Sequence, residues 1–170
     1  MEDVSLQEML AARERRVYLQ TQLLQQYKKS LISFTLNIPG PVKVLPGVPE
    51  AFLEGCRRIE ALLKERLILV QHMETIKEKT GYEAFYSVDA NPDFVKELMV
   101  SLEDADRTGR LFDIDVLRTD GTKVSREDLG FPPRSCLLCS QPAHVCSRSR
   151  NHSVAELTSE IERILKDTAK

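Results

Sequence analysis

Apolar residues recur along the chain with two periods, and the alternation between them predicts helices interspersed with hairpins. From Leu6 to Tyr27 the residues Leu6, Leu10, Val17, Leu24 and Tyr27 fall at helical spacing, so a long first helix should set this stripe against the core. Arg13 and Gln20 share the stripe. Arg13 therefore either snorkels to the edge or lines an internal polar site, where Arg16, one turn on, is placed to join it in gripping an anion. Residues 31–38 (LISFTLNI) alternate as a strand and run into a stiff loop, PGPVK over 39–43 and PGVP over 46–49. In that loop Gly40 permits a close approach of backbone or ligand, and Lys43 sets a cation just beyond it.

Pro49 suits the first turn of a second helix that buries Phe52, Cys56, Ile59, Leu62 and Leu63. Residues 67–76 and 82–88 read as two strands joined by a turn over 78–81. Asn91, Pro92 and Asp93 then open a third helix with Phe94, Leu98, Met99 and Leu102 inward. A last strand pair, 110–117 and 123–125, turns through Asp120 and Gly121. Beyond it lies a loop of about 27 residues, an unusual length unless the loop is functional or clamped. Ser153 and Glu156 form a capping box for a final helix with Val154, Leu157, Ile161, Ile164 and Leu165 on one side. The order of elements indicates an α+β fold, one domain over residues 1–170 with a mixed or antiparallel sheet and flanking helices.

Charge narrows the function classes. The 170 residues carry 24 Lys+Arg and 26 Asp+Glu. A balanced chain of this length can bury a core without disulfides, and it lacks the basic excess of a general nucleic-acid binder. Any anion site must be local. No apolar run approaches the ~20 residues of a membrane span, and the acidic start is unlike a signal peptide. A cytoplasmic protein is expected, with no membrane or nucleic-acid partner. In that compartment Cys56, Cys136, Cys139 and Cys146 are thiols or metal ligands rather than cystines.

The sharpest chemical signal is Asp113 and Asp115 in residues 109–117 (GRLFDIDVL). On a strand they share one face about 7 Å apart, while Phe112, Ile114 and Val116 fill the other. Two carboxylates side by side suit a hard cation such as Mg²⁺, which often shares its oxygen ligands with substrate phosphates. A solvent-facing edge strand with two acids is the alternative, and the dense apolar neighbours favour a central strand. Cys136, Cys139, Cys146 and His152 have the composition of a closed tetrahedral zinc site, with His144 a rival fourth ligand. Free thiols or a redox pair remain the other reading. Arg134, Arg148 and Arg150 lie in the acid-free stretch from 129 to 155, which fits an anionic ligand, an acidic partner surface or a solvated loop.

With these segments assembled, the sequence resembles the apo-citrate lyase phosphoribosyl-dephospho-CoA transferases, also called holo-acyl-carrier-protein synthases of citrate lyase. The likeness rests on RERR at 13–16, SFTLNIPGPVK at 33–43, GRLFDIDVL at 109–117, and PPRSCLLC at 132–139 continuing to Cys146 and His152. It implies a nucleotidyltransferase-like fold. It also implies transfer of the phosphoribosyl-dephospho-CoA group from 2′-(5″-triphosphoribosyl)-3′-dephospho-CoA to a serine of the acyl carrier (γ) subunit of citrate lyase, with release of diphosphate. Asp113 and Asp115 would be catalytic and hold Mg²⁺, with Glu83 or Glu103 as a third carboxylate. Arg13, Arg16, Gly40, Lys43, Arg110 and Arg134 would bind substrate, and Cys136, Cys139, Cys146 and His152 would hold structural Zn²⁺. The contrasting expectation is a zinc-stabilised adaptor that binds a partner protein through the basic loop and has no catalytic activity.

Overall fold

The computed structural model describes all 170 residues. In chain order the elements are α1 (Leu6–Tyr27), β1 (Ser30–Leu36), α2 (Val48–Glu65), β2 (Val70–Glu78), β3 (Gly81–Val88), α3 (Pro92–Glu103), β4 (Phe112–Leu117), α4 (Ala143–Ser149) and α5 (Val154–Thr168). The strands form an antiparallel sheet in the order β2-β3-β1-β4, which makes the fold α+β with an open sheet. Two expectations change here. Residues 123–125 contribute only a single bridge, Leu117 with Lys123, so β4 has one strand neighbour and is an edge strand rather than a central one. The long loop also carries α4, whose Cys146 is buried inside it.

Alternation gives the sheet two faces of different character. Ile32 and Phe34 of β1, Tyr86 of β3, and Phe112, Ile114 and Val116 of β4 pack against Phe52 and Ile59 of α2 and Val95 and Met99 of α3. Phe34 stacks on Phe52 at 5.5 Å and meets Phe112 edge-on at 5.3 Å. The fit is tight at Gly55, where a Cβ would stand 2.2 Å from Phe34 Cζ. Gly55→Ala should therefore destabilise the protein by about 2 kcal/mol through overpacking, despite its better helix propensity. The check is a denaturant midpoint, and an unchanged or higher midpoint would contradict the packing argument.

The opposite face carries α1, and its character changes along the helix. Leu23 and Leu24 pack on Leu31, Phe85 and Leu117. One turn toward the N-terminus, buried Gln20 donates to Ser33 Oγ at 3.0 Å, and beyond it Arg16 and Arg13 overhang the sheet. The stripe that the spacing directs inward lies partly outside: Leu6, Leu10 and Val17 are 75%, 47% and 60% exposed. The same reversal, on a smaller scale, puts Phe94 and Val154 in solvent, while Val95 takes the inward place in α3.

Because β4 is an edge, its outward backbone groups need partners, and side chains supply them. The carboxylate of Glu103 accepts from the N–H of Ile114 at 2.9 Å, Lys96 Nζ donates to the carbonyl of Ile114 at 2.9 Å, and Arg134 donates to the carbonyl of Phe112 at 2.6 Å. Glu103 is itself held by Arg126 at 2.8 Å. The strand bearing the paired aspartates is thereby fixed along its free side by α3 and the loop.

Candidate active site

Register brings the acids together. Thr35 of β1 pairs with Glu83 on one side and Asp113 on the other, while Ser33 pairs with Phe85 and Asp115. Partners in an antiparallel ladder share a face, so Glu83, Asp113 and Asp115 all lie under α1, with Glu83 and Asp113 two strand spacings (about 10 Å) apart at Cα. Asp115 accepts from Lys123 at 3.0 Å, whereas Asp113 has no ion-pair or hydrogen-bond partner. Asp113 reaches solvent at the floor of a cleft with protein on most sides. That confinement, then Asp115 and Glu103, pushes its pKa above the ordinary carboxylate value.

Glu83 is the more enclosed acid, its side chain only 5% exposed. Arg16 pairs with its Oε1, while Oε2 is buried with no partner at all. An unpaired buried carboxylate oxygen is costly, which fits a group awaiting a cation. Around this point lies a recess of about 150 Å³ lined by Arg13, Arg16, Lys43, Glu83 and Asp113. Lys43 Nζ donates to the carbonyl of Ile38 at 2.7 Å, and burial followed by the nearby Arg13 charge lowers its pKa. Arg13 forms no ion pair, so two cations at the mouth are not neutralised by protein.

The remaining residues singled out in the sequence lie elsewhere. Gly40 has the left-handed φ of 80°, and a Cβ there would meet Val154 at 3.1 Å; it accommodates the start of α5 and not the recess. Arg110 and Arg134 stand along the free edge of β4, where Arg134 also borders a recess with Asp113. Arg134 binds the carbonyls of Phe112 and Arg110, and Arg110 holds Ser135 through both terminal nitrogens. Glu103 is occupied by Arg126 and the Ile114 N–H, so it clasps the strand and is not free to act as a third carboxylate of the recess. The structure adds Gln20, Lys96, Arg126 and Asn37 to the residues that build the site. Only Gln20 carried a signal in the sequence, as an amide on a helix face directed inward.

Cys136, Cys139, Cys146 and His152 do converge, their ligand atoms all within 4.8 Å of one another. Cys139 Sγ is 3.5 Å from Cys146 Sγ and 3.4 Å from His152 Nε2. Tetrahedral zinc with ordinary bond lengths requires separations of about 3.8 and 3.6 Å, so the donors match a four-coordinate ion in type, number and spacing. Burial opposes ionisation of Cys136, but N–H groups of Leu138 and Cys139 directed at its sulfur outweigh it and lower the thiol pKa. His144 stays apart, exposed beside a different recess that includes Asp113 and Arg134. The cluster can hold a metal ion, and it ties the loop to the first turn of α5, which follows His152 immediately.

Three acids on one sheet face, opposed by unneutralised cations, equip an enzyme for moving a charged group, and comparison with known proteins places the chain among the transferases. One family model, described as apo-citrate lyase phosphoribosyl-dephospho-CoA transferase, matches residues 4–168. A relative in Streptococcus pyogenes with that name, qualified as probable, is 39% identical over 96% of this chain and 86% of its own. The relative so named in Escherichia coli is 35% identical over 96% of this chain and 90% of its own. One in Vibrio cholerae, again qualified as probable, is 37% identical over 96% and 93% of the two chains. The chain belongs to the apo-citrate lyase phosphoribosyl-dephospho-CoA transferase family. It is an enzyme, which sets aside the adaptor without catalytic activity. No helix is long and apolar enough to cross a membrane.

Proposed function

We propose that this enzyme takes 2′-(5″-triphosphoribosyl)-3′-dephospho-CoA and joins its phosphoribosyl-dephospho-CoA part to a serine of the apo acyl carrier (γ) subunit of citrate lyase, releasing diphosphate. The observation that carries the reading is the meeting of Glu83 and Asp113 with Arg13 and Lys43 around one recess, with Asp115 next along the same strand face. The serine oxygen forms a new ester bond at the α-phosphorus, the bond from that phosphorus to the diphosphate oxygen breaks, and the serine proton is given up. Negative charge accumulates on the transferring oxygens and on the leaving diphosphate. Arg13 and Lys43, lacking acidic partners, are available to hold the triphosphate and to take up that charge. Arg16 is shared with Glu83 and keeps the buried acid in place.

Asp113 and Asp115, with Glu83 on the same sheet face, offer hard oxygen donors of the kind that would suit Mg²⁺. When bound there, such an ion supplies charge neutralisation at phosphate oxygens. The Cys and His donors suit structural zinc, with no open coordination position. Protein purified without chelator is expected to contain one zinc per chain. Its three clustered thiols should react with a thiol reagent only after chelation. Absence of stoichiometric zinc together with freely reactive thiols would remove that assignment.

The reaction is tested by incubating apo carrier subunit with the enzyme, the triphosphate and Mg²⁺, then weighing the carrier. A mass gain equal to the prosthetic group, with one diphosphate per carrier, is expected. An unmodified carrier under conditions where a known relative modifies it would overturn the reading.

A further inference from the structure

A second cavity lies behind β4, beyond the recess of the acids. It has a volume of about 260 Å³, and its lining combines Leu111, Leu137, Leu157 and Ile161 with Arg110 and Arg134. No acid lines it. Arg110 makes no ion pair: its terminal nitrogens rest on Ser135, and its Nε is buried without any hydrogen-bond partner. An arginine this enclosed and unneutralised, with one donor unused, is poised for an anion. Through Arg110, Arg134 and Ser135 the cavity borders a wider recess of about 490 Å³ that also holds Arg126, Asp104 and three prolines. Asn37 lines both the cavity and the recess of Glu83 and Asp113, so the two compartments touch.

We infer that this cavity binds a phosphate ester with an aliphatic tail, the phosphate on Arg110 and Arg134 and the tail along Leu111, Leu137, Leu157 and Ile161. The lining contains no Phe, Tyr or Trp, and its one aromatic ring, the His152 imidazole, is engaged with Cys139 in the cluster, which favours a flexible pantetheine-type chain over adenine. The identity of the tail rests on the proposed substrate, whose diphosphate-linked pantetheine arm has this chemistry. The charge and shape of the cavity stand without it. The assignment moves Arg110 and Arg134 away from the triphosphate and gives them to the opposite end of the same molecule. Cys136, Cys146 and His152 form part of the wall, so a metal in the cluster would also shape the site that grips the tail.

Calorimetric titration of the zinc-replete protein with 4′-phosphopantetheine, ADP and inorganic triphosphate tests the inference. The wild type should bind 4′-phosphopantetheine. Leu157→Trp, which fills the cavity, and Arg110→Gln, which removes the free cation, should each weaken it by about tenfold or more. Inorganic triphosphate should bind both variants as it binds the wild type. Ser147→Tyr, at an exposed residue of the rim, gives the same test if Leu157→Trp does not fold. The site falls if 4′-phosphopantetheine fails to bind, if it binds the variants and wild type alike, or if ADP shows the same dependence on Arg110 and Leu157. The carrier assay separates this from the reaction: a modified carrier with tail binding indifferent to both variants removes only the cavity. An unmodified carrier with variant-sensitive tail binding removes only the reaction.

Discussion

Asp113→Asn is expected to cut prosthetic-group transfer by more than about 100-fold and yet to melt at a higher temperature than the wild type at neutral pH. Both effects have one source. Asp113 has no partner, and its confinement, with Asp115 and Glu103 nearby, raises its folded-state pKa above the ordinary 3.8. The folded protein thus binds this proton more tightly than the unfolded chain does, so ionising Asp113 lowers stability, and the loss is complete above the folded-state pKa. The variant should gain over the wild type as pH rises through that value, and the gap should close below the unfolded one. Carrier mass measurements and thermal melts across pH check the two halves. Wild-type transfer would remove Asp113 from the chemistry, and a lower melting temperature at neutral pH would show the carboxylate to be stabilising.

Glu103→Leu is expected to lower stability by about 3 kcal/mol and the melting temperature by about 10 °C. Its side chain is 3% exposed and satisfies both Arg126 and the N–H of Ile114. Leucine leaves Arg126, itself 9% exposed at the side chain, with Asp104 as its one acid, and leaves the edge N–H without an acceptor. Activity should fall as well, because Ile114 separates Asp113 from Asp115 and the clasp fixes the stretch that carries both. Glu103→Gln, which keeps an acceptor for the N–H, should lose less of each. If Glu103→Leu melted like the wild type, the clasp would be an ornament of the surface.

Most elements were legible in the sequence because their signals were local. The Asn91-Pro92 start of α3 and the capping box at Ser153 and Glu156 act within a few residues, and the structure contains both. What depended on distant pairing was harder to read. The apolar run around Asp113 and Asp115 suggested a central strand, but burial here comes from α2 and α3 on one face, and α3 and the loop seal the edge. The inner face of α1 is legible only in part: where it crosses the acids it carries Arg13, Arg16 and Gln20, so its hydrophobic pattern is weakest there, and Leu6, Leu10 and Val17 face out. The four cluster residues were legible from spacing alone, and so was the acid pair. That Glu83 shares the sheet face of the pair while Glu103 clasps the strand edge follows from strand register and from Arg126, neither of which a single sequence displays.

The change of character along α1 bears on how the site responds to its surroundings. The C-terminal half is anchored by Leu23 and Leu24 in an apolar cluster, while the half bearing Arg13 and Arg16 is held largely by polar contacts such as Arg15 with Glu78, Lys79 with Glu8, and Arg16 with Glu83. The helix behaves as a lever with a greasy fulcrum and an ionic latch. Salt screens the exposed latch and leaves the fulcrum untouched. Amides of the first three turns should consequently exchange faster with deuterium as ionic strength rises, and inorganic triphosphate, by bridging Arg13 and Lys43, should slow them again.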